Sequence, residues 1–88
     1  MNWTVNFSSP AEKNFNKLDK KVKKRILNEV SHLSEFENPV RHPQVKLLTG
    51  DLRKFYRLRV GQHRVIFSVL KKERIIAVVN IAPRKNAY

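Results

Sequence analysis

The sequence predicts an α+β fold with the element order β-α-α-β-β-β, in which a two-helix hairpin packs on one face of a small antiparallel sheet. Apolar and polar residues alternate at residues 3–7 and again in the second half of the chain, as they do in half-buried strands. Between these stretches, apolar residues recur at the spacing of amphipathic helices. Because tight turns join the last three strands, these strands must pair antiparallel, and the helices then cover one face.

The first half of the chain is predicted to supply one strand and both helices. Trp3–Phe7 alternates as a strand, and Ser9–Glu12 is a capping box with Pro10 at the first helical position. Asp19 is predicted to cap a second helix, which ends near Ser34 and buries one apolar stripe. That stripe comprises Val22, Ile26, Val30 and Leu33, and the opposite, solvated face comprises Lys20, Lys21, Lys23, Lys24 and Arg25.

The second half is predicted to supply three consecutive strands. Residues 37–50, which contain two prolines, are predicted to form a connection that closes in a turn at Thr49–Asp51. The strands are predicted at Phe55–Val60, His63–Leu70 and Arg74–Ile81. The last of them is the most apolar and is therefore expected to be the most central.

Length and composition indicate a single domain that spans residues 1–88. Without cysteine, the chain can form neither a disulfide nor a thiolate metal site, in keeping with a reducing cytosol. The first residues lack the basic and apolar regions of a signal peptide, and the longest apolar runs fall well short of the ~20 residues that span a bilayer. We therefore expect a cytoplasmic protein that has no membrane partner.

Positive charge is concentrated after residue 40. Residues 41–88 hold twelve Lys or Arg and two acids, which is +10 of the formal +12, whereas the first forty residues hold seven basic and five acidic side chains. Such a cluster repels itself unless a partner neutralises it. Nucleic acid and an acidic protein are the two partner classes that fit, and charge alone leaves both open.

The alternation of side chains along a strand separates the arginines from the core. One face of the first two hairpin strands is predicted to be buried and comprises Tyr56, Leu58, Val60, Val65, Phe67 and Val69. Arg57, Arg59 and Arg64 then converge on the open face, where Arg84 reaches the rim and Tyr88 can stack on an unpaired base. The alternative is that these arginines only increase solubility and that Tyr88 is a loose tail.

The residue types on this open face favour RNA cleavage without a metal or any other cofactor. A metal-dependent nuclease needs clustered carboxylates, and the only acids of the basic half, Asp51 and Glu73, lie in separate turns. RNA carries its own nucleophile, the ribose 2′-hydroxyl. Fixed cations can stabilise the charge that develops when this hydroxyl attacks the adjacent phosphate.

The three histidines do not form an evident catalytic or metal-binding set. His63 is the rival general base, but it precedes Arg64 and should therefore pack on the opposite face. His32 is predicted to lie on the second helix and His42 in the connection, and neither has a suitable partner nearby in the sequence. No Ser-His-Asp set, glycine-rich phosphate loop or metal-spaced histidine cluster is present, so no metal ligand is predicted.

A set of short motifs runs through the second half of the chain. They are Lys46-Leu47, Gly50-Asp51-Leu52, Tyr56-Arg57-Leu58-Arg59, Gly61-Gln62-His63-Arg64-Val65-Ile66-Phe67-Ser68-Val69 and Pro83-Arg84-Lys85-Asn86-Ala87-Tyr88. As a set, though not singly, they resemble the RelE-type toxins of the RelE/ParE toxin–antitoxin superfamily. The predicted element order agrees with that family's fold, so the resemblance covers nearly the whole chain.

The resemblance implies the toxin of a type II toxin–antitoxin system, which enters the ribosomal A site and cleaves mRNA there by 2′-hydroxyl attack, so that translation is inhibited. By position it implies catalytic roles for Arg57, Arg59, Arg64, Arg84 and Tyr88. Further RNA contacts are expected from Lys46, Arg53, Lys54 and Lys85. The implied partners are the ribosome, its mRNA and an acidic, RelB-like antitoxin that covers the basic face.

Two departures from the best-studied bacterial branch bear on activity. That branch has lysines at the positions of Arg57 and Arg59, and arginine is a poor general base because it hardly ever deprotonates. We therefore expect either electrostatic stabilisation in place of proton abstraction, or a weakly active member that mainly binds RNA or its antitoxin. The spacing from Arg84 to Tyr88 is also shorter. A ParE-like inhibitor of DNA gyrase on the same fold is the remaining alternative.

Overall fold

The computed structural model of the chain describes residues 3–48 and 54–83. Its elements are β1 (Thr4–Phe7), α1 (Ser9–Asn16), α2 (Lys20–Ser34), a 3₁₀ turn (Pro39–Arg41), β2 (Val45–Leu47), β3 (Tyr56–Val60), β4 (His63–Leu70) and β5 (Ile75–Pro83). The strands form one sheet in the order β1-β5-β4-β3-β2. The predicted α+β fold class and the order of its elements are confirmed.

The sheet contains features that the sequence did not predict. β2 (Val45–Leu47) lies inside the predicted connection, where three residues are too few to give an alternation signal. β1 pairs parallel with β5, while the other neighbouring strands pair antiparallel, so the sheet is mixed. The expectation that β5 is the most central strand is wrong, since β4 holds that place. β5 is apolar because it lies between β1 and β4 and also packs against α1.

Both helices begin with a side-chain cap. Asp19 caps α2 as predicted, since its carboxylate accepts a hydrogen bond from the Val22 N–H at 3.0 Å. The cap of α1 is Ser8, one residue earlier than the predicted Ser9, and its hydroxyl accepts from the Ala11 N–H at 3.2 Å. Neither helix in the described part of the chain is long and apolar enough to cross a membrane.

The hydrophobic core lies between the helical hairpin and one face of the sheet. The predicted buried face is confirmed: Leu58, Val60, Val65 and Phe67 are buried, and Tyr56 and Val69 pack against them partly buried. α2 contributes Ile26, Val30 and Leu33 to this core, as its apolar stripe predicted. Burial of each large aliphatic or aromatic side chain contributes about 1.5–3 kcal/mol. The other face of the sheet takes no part in this core and carries both polar and apolar side chains.

Candidate nucleic-acid interface

The strand register places three arginines on the open face of the sheet. Arg59 of β3 is paired directly with Arg64 of β4, and Arg57 is paired with Ile66. Residues that face each other across two strands point to the same side, as do residues two apart on one strand. Lys46 of β2 is paired with Arg57 and therefore joins this group. The structure brings Arg57, Arg59 and Arg64 together on the side opposite the helices, as the alternation predicted.

We call this surface the arginine face. Its described strand residues, all half-buried or exposed, are Thr4, Asn6, Lys46, Arg57, Arg59, Arg64, Ile66, Ser68, Leu70, Ile75, Ala77 and Ala82. No described strand residue on either face of the sheet is an Asp or Glu. Arginine stays charged at every physiological pH and presents a planar fork to phosphate oxygens. The arginine face is therefore a cationic surface without internal charge compensation from the strands.

Backbone contacts hold Arg57 in place. Its guanidinium Nη1 donates to the carbonyl oxygen of Gln44 at 3.2 Å, and the same oxygen accepts the Arg59 backbone N–H at 3.1 Å. Gln44 immediately precedes β2, so the edge strand positions the guanidinium of its neighbour. Arg57 thus enters the site with its side chain already oriented.

Arg64 differs from Arg57 in the hydrogen bonding of its guanidinium. Its Nε atom is buried and has no hydrogen-bond partner among residues 3–48 and 54–83. A buried donor without a partner costs about 1–3 kcal/mol. A phosphate oxygen that reached this atom would satisfy it and remove that cost.

A tight turn fixes the register of the two arginine strands. Gly61 connects β3 to β4 with φ +59°, a left-handed conformation that glycine adopts readily. Val60 and His63 close the hairpin on either side of this turn. His63 shares the side of Val60, opposite Arg64, where the sequence had predicted it. The turn therefore determines that Arg59 meets Arg64 and not a neighbouring residue.

The remaining predicted site residues are not part of the described arginine face. Lys54 is exposed and lines a cavity of about 730 Å³ on the helix side of the sheet, together with Tyr56 and Arg74. Its position therefore gives no support to a shared RNA site with Lys46. The other four predicted residues, Arg53, Arg84, Lys85 and Tyr88, lie outside the described residues, and their roles stay predictions.

A second polar cluster was missed by the sequence reasoning. Glu29 and His32 of α2 meet His42, and one potential ligand atom from each lies within 4.8 Å of the others. His42 is buried, and the ring of Phe36 packs at 4.9 Å from it and 5.4 Å from His32. Burial lowers the pKa of the His42 imidazole, His32 lowers it further, and Glu29 opposes both.

One half of this cluster was visible in the sequence. The statement that His32 has no suitable partner nearby is wrong, because Glu29 precedes it by three residues and lies on the same side of the helix. His42 could not be assigned from spacing. Only the path of the chain through the 3₁₀ turn returns it to α2.

The sequence matches the family described as "ParE toxin of type II toxin-antitoxin system, parDE" over residues 5–88. The chain belongs to the RelE/ParE superfamily of type II toxins. No curated protein sequence matches it significantly. The family match includes β1 from Val5 onward, both helices and the other strands of the sheet, so the superfamily assignment applies to nearly the whole described fold.

Solved structures of RelE toxins share this fold. The archaeal RelE–RelB complex from Pyrococcus horikoshii OT3 is 30% identical with a TM-score of 0.78, covering 99% of this chain and 100% of that chain. RelBE2 from Mycobacterium tuberculosis is 20% identical with a TM-score of 0.82, covering 96% and 93%. The RelB–RelE complex from Methanococcus jannaschii is 21% identical with a TM-score of 0.73, covering 96% and 95%. The resemblance to RelE-type toxins is confirmed.

Proposed function

We propose that this RelE/ParE toxin is a metal-independent mRNA endoribonuclease that works on the ribosome, cleaves the message in the A site and so inhibits translation. The observation that carries the proposal is the Arg59–Arg64 pair, with Arg57 on the same face, whose described strand residues include no Asp or Glu. These described strand residues offer no carboxylate to a catalytic Mg²⁺, but their guanidiniums can bind and stabilise phosphate. The requirement for a 2′-hydroxyl makes RNA, and not DNA, the substrate.

The proposed reaction is an internal transesterification of RNA. The ribose 2′-oxygen forms a bond to the adjacent phosphorus, while the bond from that phosphorus to the 5′-oxygen of the next nucleotide breaks. The 2′-hydroxyl proton passes to solvent, and the departing 5′-oxygen takes up a proton from solvent. Arg57, Arg59 and Arg64 stabilise the additional negative charge on the phosphate oxygens in the transition state.

The presence of arginine at positions 57 and 59 limits the kinds of catalysis that the site can supply. The guanidiniums of Arg57 and Arg59 stay protonated and cannot remove the proton of the 2′-hydroxyl. Catalysis therefore relies on fixed charge and on in-line alignment of the message by the ribosome. Arg57 has an advantage here, because its bond to Gln44 orients it before RNA arrives. We assign Arg84 to the same phosphate and Tyr88 to stacking on a base, and Lys46, Arg53 and Lys85 to further RNA contacts, whereas Lys54 lies on the helix side of the sheet.

The proposed partners are the ribosome, its mRNA and a RelB-like antitoxin, all in the cytoplasm. The relatives from P. horikoshii, M. tuberculosis and M. jannaschii are each part of a toxin–antitoxin complex. The net charge of +12 favours an acidic antitoxin for this chain. Such a partner would neutralise the arginine face and block access of RNA to it.

The test is cleavage of a defined mRNA on purified ribosomes, with the new ends mapped to single nucleotides. We expect wild type to cut within the codon in the A site and to leave free mRNA intact. Arg59→Ala and Arg64→Ala should each lower the cleavage rate by about 10²–10³, as removal of one group that stabilises a transition state does elsewhere. Lys24→Ala is the control, since this exposed residue lies on α2, on the opposite side of the sheet.

Each other outcome points to a different function. Full cleavage by both arginine variants would show that the arginine face is not the site. Intact messages together with DNA breaks in cells would favour the ParE-like gyrase inhibitor. Intact messages and intact DNA, with tight RNA or antitoxin binding, would favour the weakly active member. Circular dichroism of every variant confirms that the fold is retained.

A further inference from the structure

We infer that Glu29, His32 and His42 form a binding site for one divalent transition-metal ion, such as Zn²⁺, between α2 and the segment that precedes β2. One carboxylate oxygen and one nitrogen from each imidazole already lie within 4.8 Å of one another. The inference goes beyond the proposed nuclease, which uses no metal, and it does not depend on it. Two of the three histidines of the whole chain contribute to this one site.

The donor set selects the class of ion. Two imidazole nitrogens and one carboxylate oxygen suit borderline divalent ions such as Zn²⁺, Co²⁺ and Ni²⁺, whereas Mg²⁺ and Ca²⁺ prefer oxygen ligands alone. Three protein ligands leave at least one position of a tetrahedral ion for water or a further group. The expected occupant is thus a Zn²⁺-like ion with an open coordination position.

The three ligands are placed by two different parts of the fold. Glu29 and His32 stand three residues apart on α2, which puts them on the same side of the helix. A Glu-x-x-His pair on a helix supplies metal ligands in helical-bundle metalloproteins. His42 approaches from outside the helix, and its ring packs at 5.6 Å from that of His32 and against Phe36. Because His42 is buried and packed, little side-chain freedom remains to be lost on binding.

Metal binding at His42 requires one hydrogen bond to be exchanged. Its Nδ1 accepts the backbone N–H of Gln44 at 3.0 Å, which places the proton of a neutral ring on Nε2. A metal ion at Nδ1 would take the lone pair that now accepts this N–H. A metal ion at Nε2 would move the ring proton to Nδ1, which would then face the Gln44 N–H and could no longer accept it. Metal binding therefore breaks the bond between His42 and Gln44 in either case.

This exchange gives the site a distinctive signature. The backbone N–H of Gln44 loses its acceptor when the ion binds. The carbonyl oxygen of the same residue accepts hydrogen bonds from Arg57 Nη1 and the Arg59 N–H, so this change occurs next to the arginine face. The amide resonance of Gln44 should shift when the ion binds. Any effect on cleavage through Arg57 rests on the proposed function, whereas the amide shift does not.

The experiment titrates the chelator-treated, full-length protein with Zn²⁺ by calorimetry and with Co²⁺ by visible absorption. Backbone amides are followed by NMR in parallel. We expect one ion per chain, a tetrahedral Co²⁺ spectrum and a shift of the Gln44 amide. Glu29→Gln and His32→Asn should each weaken binding at least about tenfold, since loss even of a residue that only orients a ligand costs 10–100-fold. His63→Asn is the control, because it removes the one histidine outside the cluster.

Both variants alter side chains that are not fully buried, so the test does not require a change to the buried His42. No saturable binding, or binding that Glu29→Gln and His32→Asn leave unchanged, would overturn the inference. Equal loss in His63→Asn would do the same, since it would indicate nonspecific binding by histidine. Ribosome cleavage is not a readout here, so failure of the metal site and failure of the nuclease proposal are distinguished.

Discussion

Arg59 and Arg64 stand directly opposite each other on β3 and β4, the two strands that the Gly61 turn connects. Like charges at directly opposed positions destabilise a sheet, by an amount comparable to the ~0.2–1 kcal/mol of a favourable pair. Arg64 also carries a buried Nε with no hydrogen-bond partner in residues 3–48 and 54–83. The fold therefore tolerates a local cost at the position where a polyanion would bind.

Arg64→Gln should stabilise the free protein while it weakens function. The substitution removes one of the two opposed charges and keeps a polar side chain with an aliphatic stem. We expect the free energy of unfolding to rise by roughly 0.2–1 kcal/mol, measured by urea denaturation. Arg64→Lys is the matched control, since it keeps the charge and should bring no comparable gain.

Salt provides a second check on the same pair. Added salt screens the repulsion between the two guanidiniums, so wild type should gain stability with ionic strength. Arg64→Gln should gain less. Equal salt dependence in the two proteins would contradict a repulsive Arg59–Arg64 contact.

Lys46 and Lys54 offer a matched test of which face binds RNA. The sequence placed both among the RNA contacts, but Lys46 is paired with Arg57, whereas Lys54 lines the cavity on the helix side. Lys46→Ala should lower affinity for single-stranded RNA and reduce the slope of log K against log salt by about 0.7, the value for one lost phosphate contact. Lys54→Ala should change this slope less. Equal slopes for the two variants would contradict the assignment of binding to the arginine face.

Ser8 and Ser9 separate the observed helix cap from the predicted one. The Ser8 hydroxyl accepts the Ala11 N–H and donates to the Val79 carbonyl at 3.1 Å, so it ties α1 to β5. Ser8→Ala should lower the free energy of unfolding by about 1–2 kcal/mol, through loss of both bonds. Ser9→Ala, at an exposed position, should change it by less than about 0.5 kcal/mol. A larger loss of unfolding free energy in Ser9→Ala than in Ser8→Ala would instead support Ser9 as the cap, as the sequence predicted.

Gly61→Ala should destabilise the arginine hairpin. The residue has φ +59°, where a side chain costs roughly 1–2 kcal/mol. An added Cβ would also lie 3.0 Å from Nη1 of Arg25, which is the flexible end of a side chain and can move. Arg25→Ala in the same protein should therefore recover little of the loss in thermal stability. Gly61→Asn should be tolerated better than Gly61→Ala, because asparagine adopts this conformation more readily.

Much of the fold could be predicted because hydrophobic periodicity and turn chemistry agree along the chain. β4 begins and ends at the predicted residues, and α2 begins after Asp19 and ends at Ser34, as its cap and apolar stripe required. The errors concern information that is not local. β2 is a three-residue strand held by its pairing with β3, and the parallel pairing of β5 with β1 joins the first and last described strands of the chain.

For the site, too, local sequence patterns gave correct predictions, whereas contacts between distant residues were missed. Strand alternation was sufficient to place Arg57, Arg59 and Arg64 on one face. It could not give the contact between Arg57 and Gln44, because that contact depends on the unpredicted β2. It also missed the meeting of His42 with Glu29, since no periodic pattern connects a loop residue to a helix thirteen positions earlier.

The position of β5 has a consequence for biosynthesis. β5 occupies the place between β1 and β4 and contributes Ile76, Val78 and Ile81 to the core, so a nascent chain that lacks it leaves β1 without a neighbour. The five-stranded sheet therefore cannot be completed until residue 83 has emerged from the ribosome that synthesises the chain. The toxin is thus assembled only after its own translation has passed this strand, and a chain truncated earlier is expected to be harmless to the cell that produced it.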